Sequence, residues 1–450
     1  MLQEMTHEHL ILRDLGDGLI LRRSTPADAD ALAEFNARIH SDTGPEEPDE
    51  VIAAWTRDLL KGDHPTFGVD DFTIVEDTRT GAIASSLNLI SQTWSYDGIA
   101  FGVGRPELVG THPDYRNRGL VRAQFEVIHQ WSAERGEMVQ AITGIPWYYR
   151  QFGYEMGLEL GGGRIGYTPN IPKLKDGESE PYRVRLATEA DLPFIAQVYE
   201  GAVKRHLIAC VRDEALWRYE IFGQSETNDY RRKVRVVESV GGEPVGFLTH
   251  APRLRGPTMS LQFFELKAAV PWLEVTPSVI RYLQSTGEAY AKRDEKGEFG
   301  AFAFLLGSDH PVYHVFPDWL PGVRKPYAWY LRVPDLSGFI AHIAPSLEKR
   351  LTASIAVGYT GELKISFYRT GLRLVLDKGR LTGIEPWTPR RGDDGVAAFP
   401  DLTFLQLVFG YRTLDELRYA FADCWVDTDE ARAVLEAMFP KQSSEVWPVA

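Results

Sequence analysis

Cysteine is almost absent: 450 residues hold two, Cys210 and Cys424, far apart and with no second Cys or His at ligand spacing. That excludes a disulfide framework and a zinc site, and it suits a reducing, cytoplasmic setting. No apolar run of about 18 residues occurs, so no membrane-spanning helix is expected, and no signal peptide is read. Positive charge is also in deficit, with 49 Lys and Arg against 63 Asp and Glu and a net charge of −14. This balance argues against nucleic acid or an anionic membrane as partner and mildly favours a cationic substrate, although solubility alone explains it as well. His7 and His9 sit in a polar N-terminal tail and are read as tail; no metal is expected. An apolar share of 44% leaves ample core, and the length implies two or three domains.

What the chain does have is a concentration of arginine at one helix start. The run His112-Pro113-Asp114-Tyr115-Arg116-Asn117-Arg118-Gly119-Leu120-Val121-Arg122 precedes Phe125, Ile128 and Trp131 at near-helical spacing, with Gly136 as the stop. A helix start carries outward-pointing N–H groups and partial positive charge, so it favours Asp or Glu. Here the first turn is made more positive still, which suits an anion resting on the amides beside Gly119. A basic patch on a solvated helix is the competing reading. The surroundings favour the anion: Glu107 to Thr111 reads as a strand entering the loop, and Met138 to Ile142 reads as a second strand. The aromatic run Trp147-Tyr148-Tyr149-Arg150-Gln151-Phe152-Gly153-Tyr154 follows.

A repeat divides the chain. Leu21 to Asp28 matches Val184 to Asp191, each a short strand ending at a Thr, with Asp three residues on and then a helix. The hairpin Phe72 to Ile83 has its counterpart in Val234 to Phe247. The copies differ after the next strand: the second reads Pro271 to Pro277 without Arg-x-x-Gly, and Glu274 there would repel a phosphate. From about Leu331 the pattern changes. A helix is expected over Phe339 to Leu351, strands at Leu363 to Phe367 and Leu372 to Leu376, and helices near Asp401 to Val408 and Asp429 to Met438.

Strand, Arg-x-x-Gly loop, helix, strand, then Tyr149 four residues before Gly153 resembles the GCN5-related N-acetyltransferase (GNAT) core. With a second unit lacking the cofactor loop and an α+β tail, the whole resembles the bacterial enhanced-intracellular-survival acetyltransferases. The resemblance implies α/β and α+β classes: an N-terminal GNAT domain at 1–165, a degenerate GNAT-like domain at 175–330, and a sterol-carrier-protein-like domain at 331–450. It implies acetyl-CoA as donor, a primary amine as acceptor, and a homo-oligomer, trimer or hexamer. Carried over by position, the backbone of Val109, Gly110 and Thr111 would pair with the pantetheine arm, and Arg116, Arg118, Gly119, Leu120 and Val121 would surround the pyrophosphate. Val121 departs from the superfamily, where Gly or Ala is usual. Tyr149 matches the general acid, and the main-chain carboxylate of Ala450 matches a C-terminal carboxylate in the active site, although the terminal residue type differs.

The chemistry fits these groups. An alkyl ammonium must lose a proton before it attacks, and a tyrosine hydroxyl can protonate the departing thiolate. No Cys or Ser stands in an activated motif, so direct transfer is expected, with Cys210 and Cys424 as core residues. Packing is the competing role for Tyr149, given its aromatic neighbours. Glu34, Asp42, Glu46, Glu47, Asp49 and Glu50, with Trp55, Phe67, Trp94 and Phe101, suit an aminoglycoside, polyamine or lysine acceptor, or simply form a solvated loop. A lipid-binding module and an acetyl-CoA sensor without turnover are the alternatives.

Overall fold

A computed structural model describes residues 10–228, 230–293 and 297–449; His7, His9 and Ala450 lie outside the described residues. The described residues begin with strands β1 (Ile11–Gly16) and β2 (Leu19–Arg23), helices α1 (Ala29–Ile39) and α2 (Glu50–Leu60), and strands β3 (Phe72–Asp77), β4 (Ala82–Tyr96) and β5 (Ile99–Thr111). Helix α3 (Leu120–Glu134) crosses to β6 (Val139–Ile142), and β7 (Glu155–Leu160) follows. The expected apolar stripe of α3 is its buried face, with Leu120, Phe125, Ile128 and Trp131 all inside. That crossover makes β5 and β6 parallel in an otherwise antiparallel set.

The next elements are β8 (Gly163–Tyr167), β9 (Tyr182–Leu186), α4 (Leu192–Val203), β10 (Ile208–Cys210), α5 (Glu214–Arg218), β11 (Lys233–Ser239), β12 (Pro244–His250) and β13 (Thr258–Leu266). Then come α6 (Trp272–Ala291), β14 (Ala301–Phe304), α7 (Pro311–Val315), β15 (Gly322–Arg324) and β16 (Tyr327–Arg332). The first sheet runs β1-β2-β3-β4-β5-β6-β16-β7 with β10 on the end of β4, and the second runs β15-β8-β14-β13-β12-β11-β9. Each unit therefore lends strands to the other. Positions 165 and 330 fall inside β8 and β16, two of the segments that, with β10, cross between sheets. Neither strand announces its partner in sequence, because pairing is decided by which sheet edge lies open.

The last region holds α8 (Leu336–Thr352), β17 (Gly361–Ser366), β18 (Gly371–Asp377), β19 (Arg380–Trp387), β20 (Ala397–Ala398), α9 (Phe404–Val408), α10 (Leu414–Ala420), β21 (Trp425–Val426) and α11 (Asp429–Met438). Its sheet is ordered β19-β18-β17-β20-β21. The β17–β18 hairpin and the helices α8 and α11 lie where the periodicity placed them. One apolar cluster runs from Trp94 and Phe101 of the first sheet through Phe339 and Ile343 of α8 to Leu363 and Leu374. This corrects one expectation: Trp94 and Phe101 are core, stacked edge-on against Trp329 at 5.8 Å and Phe339 at 5.3 Å, and present no surface to an acceptor.

The repeat extends to individual hydrogen bonds. Asp28 accepts from the Thr25 amide at 2.7 Å and hydroxyl at 2.8 Å, and Asp191 accepts from both Thr188 groups at 2.8 Å. Arg22 forks onto Asp28 and reaches Glu76 through Nε at 2.6 Å; Arg185 does the same to Asp191 and to Glu238 at 2.7 Å. The Arg185 guanidinium, with the Thr188 donors, holds the Asp191 carboxyl down at about 2 against the opposing pull of burial.

Candidate active site

β5 and β6 pair only at Val103–Val139 and Gly104–Gln140 and then part. Gly104 is required where they meet, since a Cβ would stand 2.3 Å from Glu137 Oε2 and 2.8 Å from Ser132 Oγ. Beyond the split, β5 carries a bulge. Ser86 faces Gly110 and Asn88 faces Glu107, so three steps on β5 oppose two on β4, and Leu108 takes a φ of +52°. A leucine in the left-handed region is a strained choice, of the kind found at binding sites. The bulge turns main-chain groups of β5 out of the ladder toward the gap.

That gap is the mouth of a cavity of about 690 Å³. Its walls include Val109, Gly110, Thr111, Arg116, Arg118, Gly119, Leu120, Val121 and Tyr149, bringing every described residue of the expected site into one place. Gly119 is the N-cap of α3 at φ +75°; no side chain caps the helix and no acid stands in its first turn. The open amides thus face the cavity with their partial positive charge unanswered. Arg116 has no carboxylate partner among the described residues and bonds only the Thr111 carbonyl at 3.5 Å, whereas Arg118 is partly neutralised by Asp17 at 3.3 Å.

Tyr149 sits on a 3₁₀ turn, Tyr148–Phe152, and is 4% exposed. Its ring packs against Tyr148, Phe125, Tyr154 and Tyr330, so the aromatic cluster does hold it. The hydroxyl forms no hydrogen bond with the described residues and borders the cavity. Burial, then the nearby Glu107 carboxylate, raises its pKa well above the ordinary tyrosine value, so it stays protonated at neutral pH. Sequence reasoning missed Tyr330. It comes from the exchanged strand β16, packs on Tyr149, and accepts the Trp147 amide at 2.6 Å.

Other lining residues were also missed: Ile39 and His40 at the end of α1, Glu107, and Tyr230 from the second unit. Trp55 does line the cavity, and the Tyr230 ring packs tilted against it with centroids 4.2 Å apart. Burial holds His40 neutral, its pKa pushed below the usual histidine value despite a bond to the Leu108 backbone. Cys210 and Cys424 are buried and free, their thiols pushed up to about 12 and about 11 by burial, so neither is a nucleophile at neutral pH.

The C-terminal segment docks beside the cavity. The Val449 carbonyl accepts from Gln92 Nε2 at 2.9 Å and Arg105 Nη1 at 3.4 Å, and Arg105 also grips Glu107 on the cavity wall. Glu445 lies along this segment, its amide bonded to the Ile208 carbonyl at 2.8 Å. Burial and the Glu265 carboxylate push its carboxyl up to about 7. Between the ordinary value of 4.5 and about 7 the folded chain holds a proton the unfolded chain has released, so stability from this group falls as pH rises through that window. Glu445→Gln is expected to raise the melting temperature by a few degrees at pH 8.5 and to change little at pH 4.5, read by thermal unfolding at both.

In the second sheet the corresponding region is packed with aromatic rings. β13 and β14 pair over Thr258–Leu261, and beyond them Trp272 stacks edge-on against Phe264 at 5.0 Å and His310 at 5.2 Å. His310 Nε2 bonds the Phe264 carbonyl at 3.1 Å, filling the place where the first sheet splits. Glu274 is in the first turn of α6 and accepts from Tyr182 at 3.2 Å.

Residues 21–157 match the acetyltransferase (GNAT) domain family, so the chain carries an acetyltransferase domain of that type. Solved structures share the fold over nearly the whole length. A GCN5-related N-acetyltransferase from Anabaena variabilis is 14% identical, covering 95% of this chain and 99% of its own, with a TM-score of 0.62. One from Kribbella flavida is 16% identical, with 95% and 97% covered and a TM-score of 0.61. Eis1 from Mycobacterium abscessus is 14% identical, with 95% and 98% covered and a TM-score of 0.59. No curated protein sequence matches the chain.

Proposed function

We propose that the protein is an acetyl-CoA-dependent N-acetyltransferase acting directly on a primary amine of the aminoglycoside, polyamine or lysine class. The observation that carries this is the shared cavity: the bulged β5 backbone, the uncapped amides at Gly119 and a protonated Tyr149 hydroxyl face one another across it. In this reading Gly119, Leu120 and Val121 supply N–H groups to the donor's diphosphate, with Arg116 and Arg118 at the rim. The backbone of Val109 to Thr111 pairs with its amide-bearing arm. Main-chain N–H groups at the bulge polarise the thioester carbonyl as charge gathers on oxygen. The amine nitrogen attacks that carbon, the C–S bond breaks, and Tyr149 gives its proton to the sulfur. The amine's proton passes to the main-chain carboxylate of Ala450, the residue that follows the docked Val449 in sequence. Glu107 is the second candidate base, because it lines the cavity itself.

The tandem GNAT architecture, with domains at 1–165, 175–330 and 331–450 and a sterol-carrier-like third domain, belongs to the same reading. So do a cytoplasmic location and assembly as a trimer or hexamer. A free-thiol release assay over aminoglycosides, polyamines and lysine peptides tests the function. Release with at least one amine is expected, whereas a sensor binds acetyl-CoA and releases no thiol. Within that assay Arg116→Ala is expected to raise the KM for acetyl-CoA about tenfold, the loss of one charge-assisted contact, with the KM for the amine unchanged. An equal effect on both removes Arg116 from the diphosphate site.

A further inference from the structure

The second unit has a cleft of its own. A cavity of about 500 Å³ lies between β11, α6 and the segment around Phe222, and its charged lining is five cations against one acid: Arg231, Arg232, Lys233, Arg235 and Arg293 against Glu226. In a chain of net charge −14 this is a marked local reversal. Glu226 is taken by Arg231 and Lys233, each at 2.7 Å, and Arg232 is paired with Glu220 at 2.9 Å. Arg235 has no carboxylate partner among the described residues.

Its guanidinium is nevertheless fixed. The buried His250 bonds the Ala251 carbonyl through Nδ1 at 2.8 Å; that oxygen can only accept, so Nδ1 bears the proton and Nε2 accepts from the Tyr282 hydroxyl at 2.9 Å. The Tyr282 oxygen then accepts from Arg235 Nε at 3.0 Å, and Arg235 Nη1 donates to the Val234 carbonyl at 3.0 Å. Burial pushes the His250 ring down to about 4, which keeps it neutral and able to accept. Neutral groups therefore aim a full positive charge without quenching it. Tyr290 forms a wall, with Arg293 lying over its ring at 5.3 Å. In the first unit the position matching Arg235, read from Glu76 against Glu238, is Thr73. It is fully buried and bonded to Gln124 Nε2 at 3.0 Å. The duplicate thus holds a charge where its sister holds a neutral core residue.

We infer that this cavity binds a small organic anion, its phosphate or carboxylate head on Arg235 and Arg293 and its ring or apolar body on Tyr282, Tyr290 and Phe222. The same chain segment carries Tyr230 into the first cavity, against Trp55.

Calorimetric titration of the full-length protein with phenyl phosphate, and in parallel with benzoate, tests this. Saturable binding of at least one probe is expected, and the tighter one identifies the head group. Arg235→Gln and Arg293→Gln should each weaken it about tenfold or more, Arg235→Lys should weaken it less, and Arg116→Ala should leave it unchanged. Arg293 is exposed at the end of α6, so its variant keeps the test valid even if Arg235→Gln disturbs the fold. No saturable heat from either probe overturns the inference, as does binding that Arg116→Ala abolishes and Arg293→Gln leaves intact.

Discussion

Replacing Tyr149 with Phe is expected to lower turnover by roughly 10²-fold or more, while the KM for acetyl-CoA and the melting temperature stay close to wild type. The separation follows from what the side chain touches. Its ring carries the packing, against Phe125, Tyr148, Tyr154 and Tyr330, and phenylalanine keeps that ring. The hydroxyl has no hydrogen-bond partner among the described residues, so removing it leaves no donor or acceptor stranded. What disappears is a hydroxyl that burial and the Glu107 carboxylate keep protonated at neutral pH, the proton donor of the proposed reaction. Steady-state kinetics beside thermal unfolding decides the point. Near wild-type turnover assigns Tyr149 to packing alone, the alternative its aromatic neighbours already suggested.

The parts of this site that sequence made legible are those whose cause is local. An Arg-x-x-Gly loop before an amphipathic helix brings basic side chains and open amides together within a dozen residues, and the structure puts Arg116 to Val121 around one cavity. The duplicated Thr and Asp pairs were readable for the same reason, since each cap closes on itself within four residues. What stayed hidden depends on pairing at a distance. Tyr330 reaches Tyr149 because β16 enters the first sheet between β6 and β7, and Tyr230 reaches Trp55 because the two units abut. Trp94 and Phe101 looked like acceptor surface, because nothing near them in sequence shows that α8 covers that face. The same holds for Trp272 and His310. The missing Arg-x-x-Gly and Glu274 suggested that the second unit does not take the cofactor, but the contact of Trp272 with His310 joins residues almost forty positions apart.

Trp447→Ala is expected to cost about 3–5 kcal/mol of stability, the range for emptying a buried aromatic site. The indole is 3% exposed, 4.7 Å from the Phe263 ring and 5.6 Å from Trp217. Arg212 lies 4.2 Å from its centroid and Arg232 4.8 Å, so two cation–π contacts go with it. Arg212 and Glu220 are each 1% exposed and paired at 2.8 Å, and the alanine would open a cavity beside this buried ion pair, where water and strain are poorly tolerated. The indole N–H has no hydrogen-bond partner among the described residues, so Trp447→Phe should recover most of the loss. Chemical denaturation of the three proteins measures this. The Trp447 anchor also positions the last residues, whose Val449 carbonyl is tied to Gln92 and to Arg105, the residue that grips Glu107. Deleting Val449 and Ala450 leaves the anchor in place, so the two changes separate stability from chemistry. If the terminal carboxylate takes the amine's proton, the deletion lowers turnover by roughly 10²-fold, with a smaller loss of stability than Trp447→Ala, since only the buried Val449 and its two carbonyl contacts are lost. If turnover survives the deletion, the proton goes elsewhere, and Glu107→Gln becomes the variant that must fail.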